Sequence, residues 1–233
     1  MTPRYYPTVQ GSSVPLAGTG ISQAYLLVAL ALLVTLGGVF AGATFALPIL
    51  ASGWIFVLFF LELGLVFTAS SWSRSYPLNY TLFLAFPFLS GLTITPFLLS
   101  VAAGYANGAV ILMNAVIATT LMTVAAGVFA RSTAMDIGAT MGRFLMQALV
   151  GLIVFGLIQL FVPSLRGGSV EIAVSGVGIV IFSLFLAWDM QRLAASERAG
   201  ASPFLLALSL YLDIFNLFLY VVRFMLELSG NRR

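Results

Sequence analysis

The sequence predicts an all-α integral membrane protein with seven transmembrane helices. Three observations predict it. The chain is 61% hydrophobic and only 7% charged, where soluble domains carry about a quarter charged residues. Its mean hydropathy is +1.10. Apolar stretches of the length that crosses a bilayer, about 20 residues, recur between short polar breaks, and none has the two-residue alternation of a strand. The 233 residues suit a single transmembrane domain, residues 21–228, between a polar tail at 1–20 and a short C-terminal tail at 229–233.

The tail at 1–20 is rich in Pro, Gly, Ser and Thr and holds one charge, Arg4. It lacks the n-region, h-region and small-residue cleavage site of a signal peptide, so it is expected to be a flexible extension. The first span runs from Ala24 to Leu47 and contains Gly38 and Gly42 at the four-residue spacing that lets helix backbones approach. The second, Trp54 to Trp72, holds Glu62 near its middle, with Arg74 just beyond its end. In the third, Leu78 to Val101, Pro87 and Pro96 each free a backbone carbonyl and predict a kink. The fourth, Val110 to Phe129, carries Asn114 and several threonines suited to interhelical hydrogen bonds. A polar loop from Arg131 to Arg143, with Asp136, leads to a fifth span from Phe144 to Val162. After Pro163-Ser164-Leu165-Arg166-Gly167-Gly168, the sixth runs from Ile172 to Met190 and continues as a polar segment to Arg198. The seventh extends from Phe204 to near Glu227.

Residue types that are missing narrow the chemistry. With no Cys there is no disulfide, thiolate metal site or cysteine nucleophile. With no His, serine–histidine pairs, the H-E-x-x-H zinc motif and imidazole haem ligation are excluded. All ten basic residues are arginine, so no lysine Schiff base or nucleophile exists. A net charge of +3, spread over loops, does not fit a nucleic-acid partner. The chain is therefore expected not to be an enzyme and to need no cofactor.

The last two spans hold the feature around which the rest is organised. Each carries one aspartate in apolar sequence, Asp189 in Ala187-Trp188-Asp189-Met190-Gln191 and Asp213 in Leu210-Tyr211-Leu212-Asp213-Ile214-Phe215-Asn216. Gly200-Ala201-Ser202-Pro203 supplies the turn signal between them. Asp189 lies twelve residues before Ala201 and Asp213 twelve after it. In an antiparallel hairpin both carboxyls then stand at one depth, about 18 Å from the turn at 1.5 Å per residue.

The other ionisable groups at membrane depth are Glu62 and Arg223, with Arg74 at the edge. Glu62 to Arg74 is twelve residues and Asp213 to Arg223 is ten, about 18 Å and 15 Å of helix. On antiparallel spans two and seven, an Arg74 at the level of the aspartates places Glu62 at the level of Arg223. A charge at the bilayer centre costs several kcal/mol, so such groups face a protein interior or a water-filled cavity. Two carboxylates in contact there cannot both ionise cheaply, which makes the pair a shared-proton switch. With its proton, the pair is a hydrogen bond tying span six to span seven. Without it, the pair repels itself and offers oxygen ligands to a hard cation such as calcium. Plain packing readings stand beside these: Asp189 as a snorkelling residue near a helix end, Glu62 and Arg223 as a structural ion pair, and Gln191 and Asn216 as helix glue.

Asp189-Met190-Gln191, the stretch Ser209-Leu210-Tyr211-Leu212-Asp213-Ile214-Phe215-Asn216-Leu217-Phe218-Leu219-Tyr220 and the segment Ala85 to Pro96 resemble the Bax inhibitor 1 family, the transmembrane Bax inhibitor motif proteins. The similarity covers nearly the whole seven-span region. It implies a fold in which the C-terminal helix is central and wrapped by the other six, and a pH-sensitive calcium leak. The family's paired-aspartate sensor falls on Asp189 and Asp213, the same two residues that carboxylate chemistry makes the candidate calcium ligands. Its latch between an acid on the second helix and an arginine on the last falls on Glu62 and Arg223, and the arginine that pairs with the aspartates on Arg74. Met190 stands where the family more often has threonine. The tail is too short to carry the regulation of longer-tailed animal members.

The resulting reading is a passive calcium leak gated by protons, with calcium ions, protons and the lipid bilayer as partners. A reading from another class is a non-conducting regulator that binds a membrane protease or other membrane partner. A proton-coupled transporter would call for a repeated pair of broken helices, which is not seen. Arg4, Arg74, Arg131, Arg143, Arg192 and Arg198 fall on the N-terminal side in a seven-span topology. The positive-inside rule then places the N-terminus in the cytoplasm and the C-terminus outside. Exclusive use of arginine and the lack of a targeting segment fit a bacterial inner membrane.

Overall fold

A computed structural model describes residues 20–49, 53–132 and 138–230. The expected tail at 1–19, Asp136 in the arginine loop, and Arg232 and Arg233 lie outside the described residues. Every regular element is helical: α1 Gly20–Ala41, a π-helical turn Gly42–Ala46, α2 Leu47–Ile49, α3 Ile55–Phe67, α4 Ala69–Trp72, α5 Leu78–Gly104, α6 Gly108–Ser132, α7 Ala139–Phe161, a 3₁₀ turn Pro163–Leu165, α8 Gly168–Arg198 and α9 Pro203–Ser229.

Six helical stretches are long and apolar enough to cross a bilayer: Gly20–Phe45, Leu78–Gly104, Gly108–Ser132, Thr140–Phe161, Gly168–Leu193 and Pro203–Ser229. The expected second span is divided. Its first part, α3, has 13 residues, about 20 Å of helix against a hydrocarbon core about 30 Å thick. At its end Thr68 leaves the helical region at φ −93° and ψ 1°, and its hydroxyl donates to the carbonyl of Gly64 at 2.6 Å. The amide of Thr68 bonds the same carbonyl at 3.0 Å, so the helical turn is complete there and the break follows it. The chain restarts as the single turn α4.

The α8–α9 hairpin is the most extensive helix pair, and α9 also packs on α1 and α6. Helix α3 packs chiefly on α5, and α7 on α8. Helix α9 begins where the sequence predicts. Ser202 caps it by accepting from the amide of Phe204 at 3.3 Å, Pro203 occupies the first turn, and Gly230 closes it in the left-handed region at φ 59°. These are the preferred residue types at helix starts and ends.

Helices α1 and α5 form the other large contact. It is a crossing at small residues. A Cβ on Gly38 would collide with the carbonyl of Phe88, one on Gly91 with that of Thr35, and one on Gly42 with the side chain of Thr95. The Gly38/Gly42 spacing is thus used against α5. Helix α5 stays helical through Pro87 and Pro96, which leave the carbonyls of Phe83 and Leu92 without an amide donor. In-helix proline is tolerated in membrane proteins where side-chain hydroxyls and neighbouring helices re-satisfy the backbone.

Two buried clusters lie along α9. One gathers Leu27, Phe83, Phe86, Leu186, Phe204 and Tyr211 near the α8–α9 turn. The other gathers Val101, Leu145, Phe182, Phe185, Leu217 and Val222 toward the far end. Asp213 lies between Tyr211 and Leu217, where the first gives way to the second.

Candidate functional site

Helix periodicity places the polar groups of α9. Ser209 and Asp213 are four residues apart and share one face; Tyr211, two residues from each, points elsewhere. The Ser209/Asp213 face meets α8. The hydroxyl of Ser209 donates to Oδ2 of Asp189, so the carboxylate of one helix is held by the other. Asp189 is half-buried. Asp213 is 7% exposed, and its Oδ2 is buried with no hydrogen-bond partner among the described residues. The two carboxyls lie within electrostatic reach of each other. Arg192, one turn after Asp189, also acts on Asp189 electrostatically, while its guanidinium lies 3.9 Å from the ring centre of Trp188. A buried acceptor without a partner is costly, of the order of 1–3 kcal/mol. A shared proton or a visiting cation would relieve it.

Tyr211 organises a second polar layer. Its hydroxyl lies 2.7 Å from that of Thr35 on α1. Thr35 already donates to the carbonyl of Ala31 at 2.9 Å, so Tyr211 is the donor between them. Ser90 of α5 reaches Glu62 Oε2 at 3.1 Å, and Phe86, one turn earlier on α5, meets the Tyr211 ring edge to face. Thr93, on the same face of α5, donates to Glu62 Oε1 at 2.8 Å. Glu62 of α3 is thereby tied through α5 to α9 and α1.

Arg74 is exposed and donates from Nη2 to the carbonyl of Gly200 at 2.9 Å. It sits at the α8–α9 turn, and Asp213 lies ten residues into α9 from Pro203, about 15 Å of helix. Arg223 lies at the other end, lining a cavity of about 790 Å³ with Glu171, Glu227, Arg166 and Gln159. Of the five expected site residues, the structure brings together Asp189 and Asp213. It holds Glu62, Arg74 and Arg223 in three separate places.

The family model described as Inhibitor of apoptosis-promoting Bax1 matches residues 18–231. The chain belongs to the Bax inhibitor 1 family. An uncharacterized protein of Campylobacter jejuni is 37% identical over 202 residues, 85% of this chain and 84% of the relative. An uncharacterized protein of Helicobacter pylori is 34% identical over 171 residues, 73% of this chain and 70% of the relative. An uncharacterized membrane protein of Streptococcus pyogenes is 31% identical over 170 residues, 70% of each. The chain is thus an integral membrane protein of the Bax inhibitor 1 family with bacterial relatives.

Within this family member, sequence reasoning missed the residues that hold the acids. Ser209 had a local signal, one helical turn before Asp213, as did Ser90 and Thr93, three apart on α5. Thr35 had none, because its partner is 176 positions away. Glu227 reads only as the end of span seven, and the antiparallel pairing of α8 with α9 puts it in one cavity with Glu171, just before span six.

Proposed function

We propose that this Bax inhibitor 1 family member is a passive calcium leak whose opening is set by protonation of the Asp189 and Asp213 pair. The observation that carries the proposal is the buried, unpartnered Oδ2 of Asp213 beside the carboxyl of Asp189 on the adjacent helix. With one proton shared between them the pair carries a single negative charge and ties α8 to α9. Without it the two charges repel, and unit charges at about 4 Å repel by about 4 kcal/mol at an effective dielectric of 20. About 1.4 kcal/mol already shifts an equilibrium tenfold. Loss of the proton therefore biases an open packing of α9.

Calcium is cargo in this reading. The two aspartates and Ser209 offer fewer oxygens than the six to eight, roughly, that calcium takes when held tightly. Among the described residues no group of three or more acidic side chains forms a metal cage. The pair suits an ion in transit.

In the same reading α3, with the turn α4, is the seventh crossing, and α9 is the central helix against which the others move. Glu62 and Arg223 form their latch in another packing. Thr93, which holds Glu62, is one turn of α5 before Phe97, which lines the Arg223 cavity, a step of about 6 Å along the helix. The exposed Arg74, Arg131, Arg143, Arg192 and Arg198 are assigned to the cytoplasmic side with the N-terminus and the C-terminus to the outside, by the positive-inside rule, in a bacterial inner membrane. No enzymatic activity is assigned.

The deciding experiment is calcium flux into proteoliposomes containing the purified protein, scanned from about pH 5 to 8, with wild type and Asp213→Asn. Flux that rises with pH in the wild type and loses that dependence in the variant supports the proposal. Absence of flux at every pH from folded protein overturns it in favour of a non-conducting regulator.

A further inference from the structure

The cavity at the end of the bundle opposite the α8–α9 turn is built from residues that, Arg223 apart, the leak mechanism leaves unused. Its lining includes apolar residues, Phe97, Val101, Leu160 and Leu226, and four charged ones, Arg166, Arg223, Glu171 and Glu227. It lies where α5, α7 and α9 end and α8 begins, at the level where membrane-spanning helices meet the headgroup layer.

The four charges are not equivalent. Arg166 is committed to the chain: its Nε and Nη2 donate to the carbonyls of Gln159 and Leu160, both at 2.5 Å. Arg223 is exposed; its guanidinium lies 5.6 Å from the ring centre of Tyr220, and no described carboxylate forms a salt bridge with it. That leaves its donor fork available to an anion. Glu227 receives the amide of Gly168 on Oε2 at 2.9 Å, and Glu171 receives the side-chain amide of Gln159 on Oε2 at 3.2 Å. Each contact orients a carboxylate and leaves its Oε1 to accept from another donor.

A cavity of about 790 Å³ is within the range of small-ligand sites. This one offers a cation with free donors, two oriented carboxylates with free acceptors, and apolar lining residues. We propose that it binds the headgroup of a zwitterionic, primary-amine phospholipid, with the phosphate on Arg223, the ammonium between Glu171 and Glu227, and the first acyl carbons along Phe97 and Leu226. Charge complementarity selects this occupant. A purely anionic headgroup would leave two carboxylates facing it, and a divalent cation would have to sit beside two guanidinium groups. A quaternary amine carries no N–H for the two free carboxylate oxygens.

The test uses the full-length protein in detergent, with phosphatidylethanolamine, phosphatidylglycerol or phosphatidylcholine added separately. Retained lipid is read by native mass spectrometry and stabilisation by thermal unfolding. Phosphatidylethanolamine is expected to be retained several-fold more than the other two. Arg223→Ala should reduce retention of phosphatidylethanolamine to the level of phosphatidylcholine, and the Glu171→Gln, Glu227→Gln double variant should abolish the preference over phosphatidylglycerol. Arg131→Ala, at the opposite end of the bundle, should retain lipid as the wild type does. Soluble glycerophosphoethanolamine competing as well as the lipid would show that the headgroup alone is bound and would overturn the lipid assignment. Equal retention of the three lipids would overturn the proposal, as would preference for phosphatidylglycerol or equal loss in Arg131→Ala.

Discussion

The hydroxyl of Tyr211 donates to that of Thr35 across 2.7 Å, joining α9 to α1 two residues before the aspartate that α9 presents to α8. Tyr211 is fully buried, and its ring stacks on Phe215 and meets the edge of Phe86. Its ring and its hydroxyl are therefore separable contributions. Tyr211→Phe keeps the packing and loses one hydrogen bond, a cost of about 1 kcal/mol. Tyr211→Ala leaves a cavity and is expected to cost about 3–5 kcal/mol. Unfolding of the two variants in one detergent measures the difference; equal losses would show that the ring contributes nothing.

Glu62 anchors a helix that has no buried residue of its own. Its carboxylate holds Ser90 and Thr93 of α5 at 3.1 and 2.8 Å. Glu62→Ala should therefore free α3 from α5, seen as faster hydrogen exchange in residues 55–67 with α5 still protected. Glu62→Gln retains one acceptor oxygen and should exchange at an intermediate rate. Unchanged protection in Glu62→Ala would mean that apolar contacts hold α3.

The α1–α5 crossing depends on missing side chains. Gly91→Val puts methyl groups into the backbone of α1 at Thr35, and forced overpacking of this kind typically costs about 1–3 kcal/mol or more. Gly37→Ala, with nothing within 4 Å of the added carbon, should be neutral or stabilising by about 0.5–1 kcal/mol, since glycine inside a helix is unfavourable relative to alanine. Melting temperatures of the pair separate close packing from backbone propensity.

Ser202 performs two tasks at the hairpin turn. It caps α9 through Phe204 and donates to the carbonyl of Ser73 at 2.8 Å, next to the Arg74 bond to Gly200. Ser202→Ala should lose about 1 kcal/mol for the cap and about 1 more for the buried bond. Arg74→Ala, an exposed contact, should lose less than about 1 kcal/mol. A larger loss in Arg74→Ala would show that the arginine, and not the serine, fastens this end.

The pH response follows from charge alone. Protonated, the pair carries one negative charge or none; deprotonated, it carries two, with Arg192 of α8 the nearby cation. Asp189→Asn and Asp213→Asn each remove the second charge at every pH. Both variants should show flux that no longer rises between about pH 5 and 8. Asp213→Asn is expected to have the larger effect, because Asp213 is the more deeply buried of the two. A wild-type pH profile surviving in either variant would remove that residue from the switch.

Much of the architecture was legible in residue order, because the bilayer imposes a length and a composition that local sequence must meet. Six spans, the hairpin turn at Gly200 to Pro203 and the common depth of Asp189 and Asp213 follow from a 1.5 Å rise and a symmetric count about Ala201. Family membership followed from the stretch around Asp213. The second span, Trp54 to Trp72 around Glu62, is divided at Thr68, a break that nothing in hydropathy marks.

The tertiary structure decided which polar groups meet. Depth along an axis is one coordinate, and a ruler on spans two and seven placed Arg74 level with the aspartates. Partner choice also needs the rotation of each helix and its neighbours. Those are set by where glycines allow α1 onto α5 and by how α8 lies on α9, contacts between residues far apart in the chain. Hence Glu62 found Ser90 and Thr93, Arg74 found Gly200, and Arg223 joined Glu171 and Glu227 around a cavity. The aspartates alone were legible in advance, because one short turn fixes both the depth and the adjacency of the two helices that carry them.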